Sequence, residues 1–500
     1  MIRIRGRNRV FPKNPVLERS EGSVSIYFMC LGLIKASISR SVDEHKAHKL
    51  FYLVSFALIL GVASKSVGVP NLAEEAEATL KKAVQYFRWT VSTNGGYLWT
   101  YSEDLKKRAG EGKATETQIW VQPPGTPSVG FAYLRAYEAT GDEFYLEAAE
   151  AAADALIWGQ LESGGWDYKI DFAPKESQKW YYYLYKIAKD KVNPQGRRNT
   201  SILDDNNTQS ALRFIMAVHK TMGEEKYLPA VEHGLAFMLK SQFENGAWPQ
   251  RYPLASKGYS RWYTFNDNVI NDCIKVMLDA YHIYGNEKYL ESAKHGGDFI
   301  IASQLPEPQA GWAQQYDYDM KPAPARWFEP AAVCAAVTGR NIKTLTDLYL
   351  EIGDEKYLKP ILTAIDWLER SKLENGQWAR FYELGTNRPI YVNMNGEVVY
   401  EFVNIRPGYS WTGNYASSAI RLYKKVKSKG REKYLAERDA SLTDEARRRK
   451  LSDLEPRARD VIAKLDTQGR WVEDGKISSS TFIKNVQLLS DYIALVQKEK

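Results

Sequence analysis

Gly353-Asp354-Glu355-Lys356-Tyr357-Leu358 is one of four copies of a short motif that recurs along this 500-residue chain. The other copies begin at Gly141, Gly223 and Gly285, and each of them also ends in Tyr-Leu. Glycine commonly ends a helix, and acidic side chains are favoured where the next helix begins. Each copy therefore predicts a turn between two helices.

A tryptophan follows each copy at a nearly constant distance. From the tyrosine of the motif it is 21, 21, 23 and 21 residues to Trp166, Trp248, Trp312 and Trp378. The segments between have apolar residues at helical spacing, for example over 205–222 and 227–242. A helical pair repeated every roughly 60 to 80 residues must stack on its neighbours to bury its apolar faces. We expect an all-α fold, an (α/α) toroid of repeated helical hairpins, complete or incomplete, with irregular loops and minor strands.

The positive charge of the chain is confined to its start. The formal net charge is +7, and residues 1–67 hold 11 Lys/Arg against 4 Asp/Glu, which leaves 57 of each kind in the rest. A nucleic-acid-binding protein carries its basic excess in the folded part, so this class is disfavoured and no nucleic-acid partner is expected. Three cysteines exclude a disulfide framework, and we expect Cys273 and Cys334 to be buried free thiols.

The first 67 residues have the pattern of a leader. Basic residues precede an apolar run from Leu50 to Val62, and the small residues Ala63 and Ser64 follow it. This order predicts a secretory signal peptide at about 42–66, and the run is short for a membrane span. We expect a secreted or periplasmic protein with no membrane contact beyond that peptide, and a translation start near Val42 because some 40 residues otherwise come first.

The remaining residues, 68–500, are expected to form a single toroid domain. Its last repeat, 425–500, diverges from the others and contains a charged stretch at 424–460, which we interpret as solvated helix. We expect a monomer.

Acidic and amide side chains cluster where two of the predicted inner helices begin. One cluster is Asp204-Asp205-Asn206-Asn207, and the other is Asn266-Asp267-Asn268. Any one of these residues is most simply explained as a helix cap. However, equivalent positions in two repeats bring several hard oxygen ligands to the same end of a toroid, and such ligands favour a divalent cation, Ca²⁺ in particular.

Histidine chemistry is disfavoured, and arginine takes its place in the loops. All six histidines fall in the leader or inside predicted helices, which argues against a zinc site or a Ser-His-Asp triad. Arginines next to aromatic residues recur in the loops, for example Arg251-Tyr252 and Arg326-Trp327. Because the guanidinium fork recognises carboxylates, these loops favour an acidic polysaccharide as ligand.

Several loop sequences together resemble the pectate lyases of polysaccharide lyase family ten. They occur in matching order within residues 75–425: Asp204-Asp205-Asn206-Asn207-Thr208, Gly246 to Leu254, Thr264-Phe265-Asn266-Asp267, Trp312 to Asp317, Pro324-Ala325-Arg326 and Arg406 to Trp411. The resemblance implies a largely helical toroid that cleaves α-1,4-polygalacturonate by Ca²⁺-dependent β-elimination and leaves 4,5-unsaturated oligogalacturonides. The family usually has Asp-Asn where this chain has Asp204-Asp205.

The resemblance also implies roles for individual residues. It places the proton-abstracting base at Arg326 and a carboxylate clamp at Arg406, and Ca²⁺ would be held by Asp204, Asp205 and Asp267. Guanidinium has a pKa above about 12, so three interpretations of Arg326 remain: a base with a depressed pKa, a partner for the substrate carboxylate or developing charge, or a structural partner of Glu329. Further candidates for the substrate cleft are Trp248, Arg251, Tyr252, Arg380 and Tyr409.

Two other functions are compatible with this sequence. A glycoside hydrolase on an α/α toroid would act on uronides through two carboxylates and without Ca²⁺. A non-catalytic pectin-binding protein would bind polygalacturonate without forming unsaturated ends.

Overall fold

A computed structural model describes residues 71–184 and 193–497. The chain from Asn71 to Lys500 is one compact unit. The predicted leader, its signal peptide at about 42–66 and Cys30 lie outside the described residues. None of the helices in the described ranges combines the length and the apolarity that a membrane span requires.

The described residues form thirteen α-helices and many short strands. The helices are α1 (Leu72–Tyr86), α2 (Thr126–Thr140), α3 (Glu143–Trp158), α4 (Asn207–Met222), α5 (Leu228–Lys240), α6 (Val269–Tyr284), α7 (Glu287–Ala302), α8 (Ala335–Ile352), α9 (Lys359–Arg370), α10 (Ser417–Lys429), α11 (Arg431–Asp439), α12 (Asp444–Ala463) and α13 (Ser479–Gln497). A π-helical turn, Phe87–Val91, follows α1.

The helices pack as hairpins that follow one another around a toroid. The inner helices α2, α4, α6 and α8 each contact the next, and α10 packs on α8. The last helix, α13, packs against both α1 and α2, so the end of the unit returns to its beginning. The expected fold class is confirmed.

The predicted turns between helices are present. Each motif glycine ends an inner helix in the left-handed conformation, with φ between 64° and 84°. The next residue caps the following helix in three of the four copies: Asp142, Asn286 and Asp354 accept a hydrogen bond from the backbone N–H two residues later. The motif tyrosines are buried against the core.

The repeated tryptophans are structural. The indole Nε1 of Trp166, Trp248 and Trp378 donates to the backbone carbonyl ten residues earlier, near the end of the preceding outer helix, at 2.6–2.9 Å. Trp312 does the same to the Ile300 carbonyl at 2.7 Å. Each indole thus adds a hydrogen bond to a carbonyl in the last turn of an outer helix, where the regular intrahelical donors run out. The expectation that Trp248 lines the substrate cleft is wrong, because its side chain is 0% exposed.

Short antiparallel strands join the loops of neighbouring repeats. They are β1 (Thr100–Ser102), β2 (Arg108–Ala109), β3 (Lys113–Ala114), β4 (Gln118–Trp120), β5 (Lys169–Asp171), β6 (Ser201–Ile202), β7 (Arg251–Tyr252), β8 (Tyr263–Thr264), β9 (Gln315–Tyr316), β10 (Val333–Cys334), β11 (Trp378–Ala379), β12 (Phe381–Tyr382), β13 (Pro389–Val392), β14 (Val398–Val399), β15 (Thr412–Gly413), β16 (Val472–Glu473) and β17 (Lys476–Ser478). Pairs such as β4–β5, β6–β7 and β8–β9 fix the loops that precede the inner helices.

The centre of the ring is polar. Inner helices α2, α4, α6 and α13 line a cavity of about 1120 Å³. Two ion pairs cross between these helices: Arg135 with Asp491 at 2.6 Å, and Arg213 with Asp279 at 2.5 Å. The apolar core lies instead between the inner and outer helices, where Cys273 and Cys334 are buried as free thiols, as expected.

Candidate metal and substrate site

Three carboxylates meet at the end of the toroid where the inner helices begin. Each of Asp204, Asp205 and Asp267 offers a carboxylate oxygen, and these oxygens lie within 4.8 Å of one another. Asp204 and Asp205 precede α4, and Asp267 precedes α6, so two successive repeats supply the group. The sequence pattern predicts a helix from residue 205, but α4 begins two residues later, at Asn207. The cause is the left-handed backbone of Asp205 and Asn206, which have φ of 50° and 58°.

The second cluster repeats this backbone conformation. Asp267 and Asn268 have φ of 48° and 65°, in the left-handed region that Asp and Asn tolerate better than other side chains. Two consecutive left-handed residues turn the chain sharply before the helix starts. The Asp-Asn character of both clusters therefore reflects the turn as well as the chemistry of their oxygens.

Burial and mutual repulsion raise the pKa values of these three carboxyl groups. Burial, together with the charges of Asp204, Asp267 and Glu111, raises the pKa of Asp205 to about 7. Burial and Asp204 raise the pKa of Asp267 to about 6, against the opposing effect of Arg326. The pKa of Asp204 is raised as well, mainly by burial. Three acids held this close without a cation between them favour protonation.

The donor set fits a hard cation. Asp204 Oδ1 is buried and has no hydrogen-bond partner among the described residues, and the same holds for the amide oxygens of Asn206, Asn266 and Asn268. Buried oxygens are normally paired, so four unpaired ones around a carboxylate group indicate a missing partner. Carboxylate and amide oxygens are the ligands that Ca²⁺ takes, and no thiol or imidazole belongs to the group.

Arg326 lies beside this cluster and is tied to a buried acid. Its Nε and one terminal nitrogen donate to the two oxygens of Glu329 at 2.8 and 2.6 Å, and that terminal nitrogen lies 3.6 Å from Asp267 Oδ2. Glu329 is 1% exposed, and the Tyr409 hydroxyl donates to it at 2.9 Å. The hydrogen bond from Arg326 to Glu329 is the largest cause of a pKa of Arg326 raised above its ordinary value.

The Glu329 carboxylate is charged in this arrangement. Burial alone would raise its pKa, but the hydrogen bonds and charge of Arg326 outweigh burial, and the pKa is lowered. Of the three interpretations of Arg326, the pairing with Glu329 is therefore observed. This pairing opposes proton abstraction by Arg326, because it favours the charged guanidinium. Hydrogen bonds of catalytic groups commonly tighten or change when substrate binds, and Arg326 stays a candidate for the reaction.

Of the other predicted arginines, Arg251 and Arg380 lie close enough to act on the acids, and Arg406 lies beside Phe328 and Tyr409. Arg251 and Arg380 each have a buried Nε without a hydrogen-bond partner in the described part of the chain. The Arg251 charge acts on Asp204, and the Arg380 charge acts on Asp267. Arg406 stacks on Phe328 at 3.8 Å and lies 5.7 Å from the exposed ring of Trp327. Guanidinium groups with unused donors are suited to binding carboxylates.

The two predicted tyrosines differ in their contacts. Tyr409 lies between the arginines, with Arg380 4.5 Å from its ring, and its hydroxyl holds Glu329. Tyr252 is half-buried on β7 and packs on Phe237 at 6.0 Å between ring centres. Tyr409 thus supports the orientation of Arg326 through Glu329, while Tyr252 is the neighbour of Arg251 on β7.

Three side chains hold the acids, and sequence reasoning missed two of them, Tyr168 and Gln122. The Tyr168 hydroxyl donates to Asp204 Oδ2 at 2.9 Å, Gln122 Nε2 donates to Asp205 Oδ2 at 2.8 Å, and Asn266 Nδ2 donates to Asp267 Oδ2 at 2.8 Å. Only Asn266 was part of a recognised cluster. Tyr168 and Gln122 come from repeats in which no acidic cluster marks the loop.

Comparison with known proteins shows that the segments containing the site are similar to a known family. The family model described as pectic acid lyase matches residues 174–336 and 374–420, which include all three aspartates, Arg326, Arg380 and Arg406. These segments are similar to the pectic acid lyase family. The match confirms the family resemblance and supports a polysaccharide lyase. The lyase segments do not include helices α1 to α3 or α11 to α13.

Solved structures are similar over longer stretches. A mutant of a family 10 polysaccharide lyase from Cellvibrio cellulosa, in complex with trigalaturonic acid, is 23% identical with a TM-score of 0.45, and the similarity covers 60% of this chain and 98% of that one. A family 76 glycoside hydrolase (mannosidase) from Bacteroides thetaiotaomicron is 12% identical with a TM-score of 0.47, covering 86% of this chain and 100% of that one. No curated protein sequence matches the chain.

Proposed function

We propose that this protein is a secreted pectate lyase that cleaves polygalacturonate by Ca²⁺-dependent β-elimination. The observation that carries the proposal is the group of three carboxylates with an unpaired, buried Asp204 oxygen, located in the lyase segments and surrounded by arginines. Asp204, Asp205 and Asp267 would hold the cation.

The reaction removes a proton from C5 of a galacturonate and breaks the bond from C4 to the glycosidic oxygen. A double bond forms between C4 and C5, and the released oxygen takes up a proton. Bound Ca²⁺ would neutralise the carboxylate next to C5, which makes the C5 proton more acidic. Arg326, oriented by Glu329 and 3.6 Å from Asp267, lies where it can act on the same sugar.

The role of Arg326 follows from its charge. A guanidinium fixed in a half-buried site stabilises negative charge that develops during the reaction without having to reorient. A base is also required, and Arg326 can serve only in its rare neutral form. We propose Arg326 as a catalytic residue. The pH dependence of kcat distinguishes a base from a group that stabilises negative charge.

The remaining arginines would recognise the polymer. Arg251 and Arg380 act on the acidic cluster and Arg406 lies beside Tyr409, and each would offer donors to the carboxylate of a neighbouring sugar. Methyl esterification removes that charge, so highly esterified pectin is expected to be a poor substrate. Trp248 is not part of this proposal.

The decisive experiment incubates the purified protein with polygalacturonate and follows the ultraviolet absorbance of unsaturated ends. We expect activity with Ca²⁺, none in excess EDTA, and at least a hundredfold loss in Asp267→Ala and Asp204→Ala, on the order expected when a metal ligand is removed. Asp298→Ala is the matched control, since Asp298 is an exposed acid paired with Lys356 on the outer helices.

Each outcome discriminates between functions. Full activity in EDTA with reducing ends but no unsaturated product would identify a hydrolase. Binding of polygalacturonate without any cleavage would identify a pectin-binding protein. Either result rejects the proposed function.

A further inference from the structure

Gln122 reaches the acidic cluster from outside the segments that match the family. It lies in the loop between β4 and α2, 83 residues before Asp205, and its side-chain Nε2 donates to Asp205 Oδ2 at 2.8 Å. The Gln122 side chain belongs to a residue that is 5% exposed. A buried amide that spans two repeats to hold one carboxylate is a built contact, not a surface coincidence.

Neighbouring tryptophans fix the orientation of this amide. Trp120 Nε1 donates to Gln122 Oε1 at 3.0 Å, and Trp99 Nε1 donates to the Gln122 backbone carbonyl at 2.9 Å. An indole nitrogen is only ever a donor, so the amide oxygen must face Trp120 and the amide nitrogen must face Asp205. The loop that covers Trp120 requires glycine at position 110, because a Cβ there would lie 2.0 Å from the indole ring.

The contact completes a pattern among the three acids. Each carboxylate accepts a hydrogen bond from an uncharged side chain: Tyr168 for Asp204, Gln122 for Asp205 and Asn266 for Asp267. An uncharged donor orients a carboxylate without cancelling the negative charge that attracts a cation. Hydrogen bonds from such outer groups commonly set the affinity of a metal site.

We propose that Gln122 is a positioning residue for the cation, acting through Asp205. The proposal rests on the proposed function, because it assumes that the three aspartates bind Ca²⁺. It adds that the first repeats of this chain, which the family model does not cover, contribute to the metal site. The lyase family usually has Asn at the position of Asp205. The hydrogen bond from Gln122 to a carboxylate at this position is therefore a feature of this sequence.

The test measures Ca²⁺ binding by calorimetry on the purified protein without substrate. Gln122→Met keeps the length of the side chain and removes the donor, and we expect the Kd for Ca²⁺ to rise about ten- to a hundredfold. Gln160→Met is the matched control: Gln160 is fully buried and donates to the carbonyls of Gly164 and Ala230, away from the acids. The control is expected to lower the Tm while changing the Kd by less than about twofold.

A double variant separates positioning from general destabilisation. If Gln122 acts through Asp205, Gln122→Met in the Asp205→Ala background should change the Kd by less than about twofold, since alanine leaves no acceptor for the Gln122 amide. Gln122→Asn, which retains the amide but draws it back by one methylene, provides a milder variant in case the methionine variant does not fold. It is expected to weaken binding in the same direction.

An unchanged Kd in the folded Gln122 variants, or an equal loss with and without Asp205, overturns the role of Gln122 and leaves the calcium site intact. A wild-type protein that binds no Ca²⁺ rejects the proposed function, and this inference with it.

Discussion

Arg326 joins the acidic cluster to the buried Glu329, and the two proposed roles predict different kinetics. If Arg326 removes the C5 proton, Arg326→Lys should lower kcat by at least about a hundredfold, because the ammonium lacks the planar fork and lies elsewhere. The wild-type rate should then rise with pH between about 7 and 10, as the neutral form becomes more common. The measurement is kcat and KM at saturating Ca²⁺.

If Arg326 only pairs with the substrate carboxylate, lysine should retain much of kcat and the loss should appear in KM. Arg370→Lys serves as the control, since Arg370 lies on outer helix α9 and donates to the Pro308 carbonyl. An unchanged kcat with a raised KM would remove Arg326 from the chemical step.

The raised pKa values of Asp205 and Asp267 predict how the calcium-free protein responds to pH. Their pKa values are about 7 and about 6 in the folded protein, against about 3.9 for an unfolded Asp. Between about pH 4 and pH 7 the folded state therefore binds more protons than the unfolded state, so its stability decreases as the pH rises. In EDTA the Tm should fall over this range, and Ca²⁺ should restore most of it by occupying the ionised site.

Asp205→Asn tests the cause of that slope. The variant removes the carboxyl group with the higher pKa and should flatten the fall of the Tm in EDTA. A slope that is identical in the variant and the wild type would assign the effect to other titrating groups.

In each helical hairpin the repeated tryptophan makes a stabilising contact. Trp248 is one of these buried tryptophans and does not line the cleft. Trp248→Phe removes the donor to the Met238 carbonyl and should lower the free energy of unfolding by about 1–3 kcal/mol. Trp89→Phe, at a position that is 67% exposed, should change it by less than about 0.5 kcal/mol. Urea unfolding measures both, and KM for polygalacturonate should be unchanged. A raised KM in Trp248→Phe would return this residue to the cleft.

The turns of the helical hairpins could be predicted from the sequence, because the residues that mark each turn are close together in the chain. A glycine, an acidic cap and a tyrosine within six residues are enough to locate each turn, and both acidic clusters occur where an inner helix begins. Gln122 and Tyr168 could not be found in this way, because their partners are fixed by loop conformations and by pairing between repeats. The side-chain direction of Trp248 likewise depends on a turn in the loop, which composition does not specify.

For the whole molecule, stability depends on the contact between the last helix and the first. Phe482 on α13 stacks on Phe87 with ring centres 3.7 Å apart and is buried. Phe482→Ala should therefore cost about 3–5 kcal/mol, and because α13 packs on both α1 and α2, the loss should appear as one lowered transition. The matched control is Phe402→Ala, whose ring is exposed. Separate unfolding of the terminal helices at a low temperature, with the rest unchanged, would contradict this expectation.

The adjacency of α13 and α1 also bears on the order in which the chain visits its repeats. Gln497 Nε2 lies 3.4 Å from Glu77 Oε1, so the described unit ends beside the helix with which it starts. Circular permutation is thus compatible with the ring: a short linker could join the two ends, and new termini could open at the exposed stretch between Asp439 and Ser441. In such a permuted gene the acidic clusters and the arginines would keep their neighbours, although the hairpins would leave the ribosome in a different sequence.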